Sequence, residues 1–444
     1  MINKRRLLQW ASLLLCSGFV TGCGQINTPT PAGVDQAGGI RQVKPFTISL
    51  RHTQVRDDAR LKLKLLEDVA KRMEAAVPGL TVELEGIEDK VNRFEKLPAE
   101  MAAGATPKIF DLFGGSDTQK YVKAGRLLDL TPILEEMKLK DRFFDLDEFT
   151  VDGKIYGLPT ASFVEGVYYN KKIFKELGVD VPKTWEELIA IAEKAKANGI
   201  TPFALAAADG WVVNMLMNTF WVRTAGPDSV QGFVSGSRKW TDLDVLDGFK
   251  RYELFVKRGY FHEGSLGRKY AEQQYKFRAG GAAMLFDGSW ASGAIADPQW
   301  SKIANDVGFF NFPDTGGKGD GWINGSYSNG YGFATTLSEQ EKEAAKAFIR
   351  IMYSDEMQRR QLKETGVLPA MKLIDQSGFY PIVDEIMRTT RFKQFPAFDA
   401  VVQAKVREAL ETGMQELVGG KLTAEQVVEK LQRVQEAANK EAKR

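Results

Sequence analysis

The chain has 444 residues, with 60 lysines and arginines against 58 aspartates and glutamates, two histidines, two cysteines and 43% hydrophobic residues. That length supports two to three domains of roughly 150 residues each, and a single short apolar run excludes a polytopic membrane protein. Near-balanced charge argues against broad nucleic-acid binding, and so few histidines and cysteines leave almost no soft-metal chemistry.

Lys4, Arg5 and Arg6 precede an apolar stretch from Leu7 to Val20, followed by Thr21, Gly22 and Cys23. The run is shorter than the about 20 apolar residues of a membrane-spanning helix, so residues 1–22 read as an export signal; an N-terminal anchor helix is the competing reading. Val20-Thr21-Gly22-Cys23 resembles the bacterial lipobox, which implies that Cys23 becomes the lipidated first residue of the mature chain. Export would then discard Cys16 and consume the Cys23 thiol, leaving no disulfide and no cysteine nucleophile. The leader carries three positive charges, so the formal +2 of the precursor becomes about −1. Residues 23–44, rich in Thr, Pro, Gly, Asn and Gln, read as a flexible tether with a reach of at most about 70 Å.

Phe46 to Leu50 alternates as a strand. Leu61, Leu65, Leu66, Val69 and Met73 follow at helical spacing, Pro78-Gly79 stops the helix, and Leu80 to Leu84 alternates again. A right-handed β-α-β crossover onto a parallel sheet is the expected product. Ile109 to Phe113 is the next strand, ending in Gly114-Gly115-Ser116-Asp117, and open α/β sheets bind ligands beyond their strand C-termini. Thr184 with Glu187, and Ser338 with Glu341, form capping boxes that open helices. The tail from Pro396 to Lys440 reads as two helices split at Gly419-Gly420, with Thr423 and Gln426 starting the second.

Catalytic patterns are scarce. His52 and His262 are far apart in sequence, so no metal site is expected. Gly325 to Gly330 has neither the nucleophile-elbow spacing nor the Lys-Ser/Thr of a phosphate loop. Glu165, Asp209 and Asp287 could flank a glycosidic bond, which makes glycoside hydrolysis the enzyme alternative. The same carboxylates suit a binding cleft, where accepting a sugar hydroxyl is worth roughly 1.5–3 kcal/mol without chemistry. No catalytic residue and no cofactor is assigned.

Four stretches belong together. They are Tyr121 to Leu130 with Tyr156 to Pro159 and Val167 to Phe174; Pro182 to Leu188; Phe277 to Met284 leading into Asp287-Gly288-Ser289-Trp290; and Gly325 to Gly332 with Ala344 to Phe348. In order and spacing they resemble the extracellular solute-binding proteins of bacterial ABC importers, in the carbohydrate-binding family that includes maltose-binding protein. The resemblance covers most of the chain after Lys44. It implies a two-lobed α/β fold of the periplasmic-binding-protein type, with a hinge and a ligand cleft between the lobes. Residues 45–159 and 310–353 would form the N-terminal lobe, and 160–309 and 354–444 the C-terminal lobe. A ligand that touches both lobes only in the closed form shifts the population towards the shape the importer reads.

The resemblance also implies site residues. Trp290 matches the family's aromatic platform, and Asp287 precedes it as a hydroxyl acceptor. Asp209 and Trp211 hold the matching position at a strand end of the second lobe, Ser116 and Asp117 a first-lobe loop, and Glu165 the segment before Tyr168. His52 follows the first strand, and Trp322 and Tyr327 border the Gly/Ser loop. Each has a structural alternative: burial for the tryptophans and His52, helix capping for Ser116, Asp117 and Asp209, an exposed turn for Glu165, and a tight turn for the Gly/Ser loop. The resulting expectation is an extracytoplasmic, monomeric binding protein, held at the membrane only by lipid on Cys23, that delivers a mono- or oligosaccharide to ABC permease subunits. It needs no metal, cofactor or nucleic acid, and is not an enzyme. The runner-up is a polyamine, sugar phosphate or acidic solute in the same fold; a phosphate would want Arg or Lys in the cleft, whereas the loops named here carry acids and aromatics. A scaffold or adhesion protein would need no closing cleft.

Overall fold

The alternation at the start of the globular part builds the expected β-α-β unit: strand β1 (Phe46–His52), helix α1 (Arg60–Ala76) and strand β2 (Leu80–Gly86), parallel to β1 from Phe46 against Leu80 to His52 against Gly86. The computed structural model describes residues 33–34, 40–41, 44–373, 381–390 and 392–442. The expected leader, Cys23 and most of the tether lie outside the described residues.

The other strands of the two main sheets run, in chain order, β3 (Ile109–Phe113), β4 (Gly157–Pro159), β5 (Phe163–Asn170), β6 (Phe203–Ala204), β7 (Met284–Gly288), β8 (Val307–Phe310), β9 (Trp322–Ser326), β10 (Asn329–Phe333) and β11 (Lys393–Phe395). One sheet has the order β2-β1-β3-β10-β4, the other β6-β7-β5-β9-β11 with β8 also paired to β5. Strand alternation sends side chains to both faces of each sheet, and both faces are covered. On β3, Ile109 joins Ile48, Leu50 and Val69 beneath α1, while Phe110 and Leu112 pack with Tyr121 and Phe149 on the opposite face. On β5, Val167 packs with Trp221 and Phe249, whereas Val164 and Tyr168 meet Leu285 and Leu362. Burial of each such side chain contributes about 1.5–3 kcal/mol, which gives each lobe its own core.

The chain leaves the first sheet after Pro159 and enters the second at Phe163. Its return differs from the expectation. Strands β8 and β9 both pair with β5, so the chain re-enters the first sheet between Ser326 and Asn329 rather than near Phe310. Gly166 permits this: a Cβ there would lie 2.5 Å from the Phe309 ring, so its absence lets β8 close onto β5. Ser354 then caps the helix Asp355–Thr365, which touches both α1 and the second-lobe helix Ser292–Ala296. The crossings lie side by side, with the Thr160 N–H donating to Asn329 O at 2.9 Å and the Ser162 N–H to Leu368 O at 3.1 Å. The capping boxes at Thr184 and Ser338 form as read, and Thr423 with Gln426 starts the final helix.

Candidate functional site

A cavity of about 310 Å³ draws its wall from both lobes and from Thr160, Ala161 and Ser162 of the first crossing. On the second lobe Trp211 lies in the first turn of helix α2 (Gly210–Ala225), Tyr270 opens helix α3 (Tyr270–Arg278), and Trp290 follows β7. The Trp211 ring centroid lies 4.7 Å from Tyr270 and 6.5 Å from Trp290, and Phe163 stands edge-on to Trp290 at 5.3 Å. Gly288 makes room for this group. A Cβ there would overlap the Trp290 indole at 2.2 Å, so only glycine lets the ring fold back over the strand end.

Behind the rings sits a buried carboxylate. Trp290 Nε1 donates to the Tyr270 hydroxyl at 2.7 Å, and that hydroxyl donates to Asp287 at 2.9 Å. Gln274 Nε2 and the Gly288 N–H also donate to Asp287, at 3.1 and 2.8 Å. Burial pushes the Asp287 carboxyl up to about 6 against these hydrogen bonds. Asp209 accepts the Tyr270 N–H at 2.9 Å, so it caps α3 rather than the helix that follows it in sequence.

Polar groups share the wall with the aromatics. Glu165 accepts from Asn324 Nδ2 at 2.7 Å, and burial, with Asp399 and Asp287 nearby, raises its carboxyl well above the ordinary range. Asp111 accepts from Thr53 Oγ1 at 3.1 Å, and burial pushes it up to about 7. Arg93 lies over Phe113 at 3.3 Å and pairs with Asp117 at 2.8 Å and Asp399 at 2.6 Å, linking the first lobe to the second. Three asparagines on the wall, Asn214, Asn218 and Asn324, carry buried amide atoms without protein partners.

Of the residues expected from sequence, Glu165, Trp211 and Trp290 lie on the cavity wall. The other seven do not. Asp287 is fully buried behind the platform, and Asp209 caps α3. Asp117 sits behind Arg93, and Ser116 is the first residue of the helix Ser116–Lys123. His52 is buried with its ring against Gly86, where Nδ1 accepts the Gln54 N–H at 3.1 Å; the strand ends there, and the next two residues, Thr53 and Gln54, face the cavity instead. Trp322 lies under Lys393 at 5.5 Å and Tyr327 beside Phe144 at 6.3 Å. Ligand contact is therefore proposed only for Glu165, Trp211 and Trp290 among the ten. The wall also carries cations that the loops named from sequence do not: Arg56, Lys62, Lys90 and Arg93, the last with its charge met by two carboxylates. The expected hydrolytic trio does not converge, because only Glu165 among Glu165, Asp209 and Asp287 reaches the wall. Among the described residues no group of His, Cys, Asp and Glu is arranged to hold a metal ion, and no helix is long and apolar enough to cross a membrane.

Residues 61–359 match the family described as bacterial extracellular solute-binding protein. The multiple sugar-binding protein of Streptococcus mutans is 28% identical over 327 residues, spanning 71% of this chain and 74% of its own length. Among solved structures, a chitin oligosaccharide binding protein aligns with a TM-score of 0.86 at 70% identity, covering 89% of this chain and 100% of that one. A solute-binding protein in complex with raffinose shares the fold, with a TM-score of 0.74 at 23% identity over 89% of this chain and 100% of the other.

Proposed function

Since the chain belongs to the bacterial extracellular solute-binding protein family, we propose that it captures an oligosaccharide of the chitin type between its lobes and presents the closed form to an ABC permease. The carrying observation is that Trp211 and Trp290, the latter held by Tyr270 behind it, share one cavity with Glu165, Asp111 and partnerless amides. Indole faces cover the apolar C–H surface of a pyranose, while carboxylates and amides take its hydroxyls. The 70% identity to a chitin oligosaccharide binding protein supports the choice of sugar. Ligand contacts on both lobes shift the population towards closure, which the Arg93–Asp399 pair also favours.

No catalytic step belongs to this reading, which rests on the binding proteins the chain resembles. The family is extracellular, and Cys23 is proposed as the lipid attachment point of a monomer held near the membrane by its tether. Loss of labelled-palmitate incorporation in Cys23→Ala would support the anchor. A phosphorylated ligand is the second reading, since Arg56, Lys62 and Lys90 line the cavity beside the paired Arg93; the sugar-binding relatives favour the neutral glycan.

A thermal-shift panel of chitin oligosaccharides, raffinose, mannitol, sugar phosphates and polyamines tests the function. A bound ligand at 100 times its dissociation constant should stabilise the protein by about 2.7 kcal/mol. A response confined to sugar phosphates or polyamines rejects the carbohydrate reading. Shortened glycans after incubation would establish hydrolysis instead.

A further inference from the structure

We infer that the cavity-facing stripe of α2, with Asn324 of β9 beside it, is a seat for the N-acetyl group of a 2-acetamido sugar. This rests on the oligosaccharide reading above and adds to it which group of the sugar is read, and by which residues. Trp211, Asn214, Met215 and Asn218 follow one another at i, i+3, i+4 and i+7, and all four line the cavity. Helix α2 packs on β9, which brings Asn324 to the same wall.

The amides of this stripe are already stripped of water. Asn218 is 2% exposed, and neither its Oδ1 nor its Nδ2 has a partner. Asn214 is 7% and Asn324 1% exposed, and each has a partnerless Oδ1; the Asn324 Nδ2 is committed to Glu165. Buried amides nearly always find partners, so a protein that keeps these three on one wall keeps them for something that enters the cavity. Sugar hydroxyls can donate to the carbonyl oxygens one at a time. Asn218, with donor and acceptor both open on one planar group, is matched best by another amide, whose N–H meets Oδ1 while its C=O accepts from Nδ2.

Apolar contact completes the fit. Met215 is buried on the same helical face between Asn214 and Asn218, and its flexible thioether side chain suits a methyl group. Trp211, one turn earlier, offers a ring face to the pyranose. An N–H, a carbonyl and a methyl held together make an acetamido group. A 2-hydroxyl offers a single oxygen, which can accept from Asn218 Nδ2 or donate to Oδ1 but does not span the two as an amide does, and it leaves a void beside Met215. A 2-ammonium would donate to the carbonyls but could not accept from Nδ2.

Isothermal titration of the purified protein with di-N-acetylchitobiose, cellobiose and the fully deacetylated glucosamine dimer tests the seat, because the three share one linkage and differ at C2. The acetylated dimer is expected to bind at least about tenfold more tightly than either other dimer, since a site built for a polar group rejects ligands that lack it. Asn218→Leu removes both amide atoms at similar volume and should erase most of that gap. Equal binding of cellobiose and the acetylated dimer by the native protein overturns the seat while leaving the oligosaccharide reading intact, and that comparison needs no variant to fold. A folded Asn218→Leu protein that keeps the full gap overturns the assignment of the seat to α2. Silence towards all three dimers, with a response to a sugar phosphate or polyamine, removes both the seat and the reading on which it rests.

Discussion

Trp290 donates its indole proton to the Tyr270 hydroxyl at 2.7 Å, and through that hydroxyl the platform is tied to Asp287 at the end of β7. Tyr270→Phe breaks both links at once, leaving the indole N–H and one Asp287 oxygen a partner short in a buried place. A hydrogen bond lost in this way costs about 1–3 kcal/mol. The variant is expected to lose that much stability in urea and about tenfold in ligand affinity, because Trp290 is no longer held at its angle. Unchanged affinity with reduced stability would mean that the relay supports the fold without orienting the platform.

Asp399 is the second-lobe end of a charged clasp. Arg93, nine-tenths buried, reaches Asp117 in its own lobe and Asp399 across the cleft. Asp399→Asn keeps the shape and the Arg93–Asp117 pair but removes the charge across the cleft. With Asp399 27% exposed, solvent screening limits the effect to about 1 kcal/mol. Roughly fivefold weaker binding is expected, expressed as faster ligand release, because the closed form loses a contact that the open form lacks. Stopped-flow dissociation rates measure it; an unchanged off-rate would show that the pair does not help hold the closed form.

The pH dependence of stability should carry the signature of Asp111. Burial, with Asp89 adding to it, pushes this carboxyl up to about 7, so the folded protein holds a proton that the unfolded chain has already shed. Stability therefore falls as pH rises from the ordinary carboxylate range to about 7 and levels off above it. His262 acts in the opposite direction. Burial pushes it down to about 4, so the unfolded chain gains a proton that the folded one refuses, and stability rises with pH from about 4 to about 6.5. The difference between wild type and Asp111→Asn isolates the first effect. The variant's thermal midpoint should rise relative to wild type between about pH 5 and about pH 8; a pH-independent difference would place the Asp111 pKa in the folded protein near its ordinary value.

What the sequence made legible follows from how far each signal reaches. Periodicity and capping are local, so β1, α1, β2 and the helices opened by Thr184 and Ser338 were readable from the sequence alone. The return crossing was not, because it depends on Gly166 admitting Phe309 from a strand far along the chain. Trp211 and Trp290, expected from the family resemblance, lie on the cavity wall, whereas Asp287 next to Trp290 turns inwards to meet Tyr270 of α3. His52 was misplaced by a residue or two at a strand end. Asn214 and Asn218 lie four apart in an apolar helix and carry no sequence signal of their own. Their meaning appears only when Asn324 and Glu165 meet them across the cavity wall.

Gly115 sets how closely the lobes can approach. Its φ is +68°, and a Cβ built there would lie 2.5 Å from the carbonyl oxygen of Ala400 in the second lobe. Gly115→Ala therefore meets two penalties: a backbone at positive φ with ψ −124°, a region essentially confined to glycine that costs about 1–3 kcal/mol in either form of the protein, and a steric wedge against Ala400 when the lobes close. Gly125 separates them. It has nearly the same φ, +67°, with nothing within 4 Å of its built Cβ. Gly125→Ala should lose some stability and bind ligand normally, whereas Gly115→Ala should also lose at least about tenfold in affinity, since closure is what the ligand selects. Titration calorimetry alongside urea unfolding reads both quantities, and equal affinities for the two variants would show that closure does not bring Gly115 against Ala400.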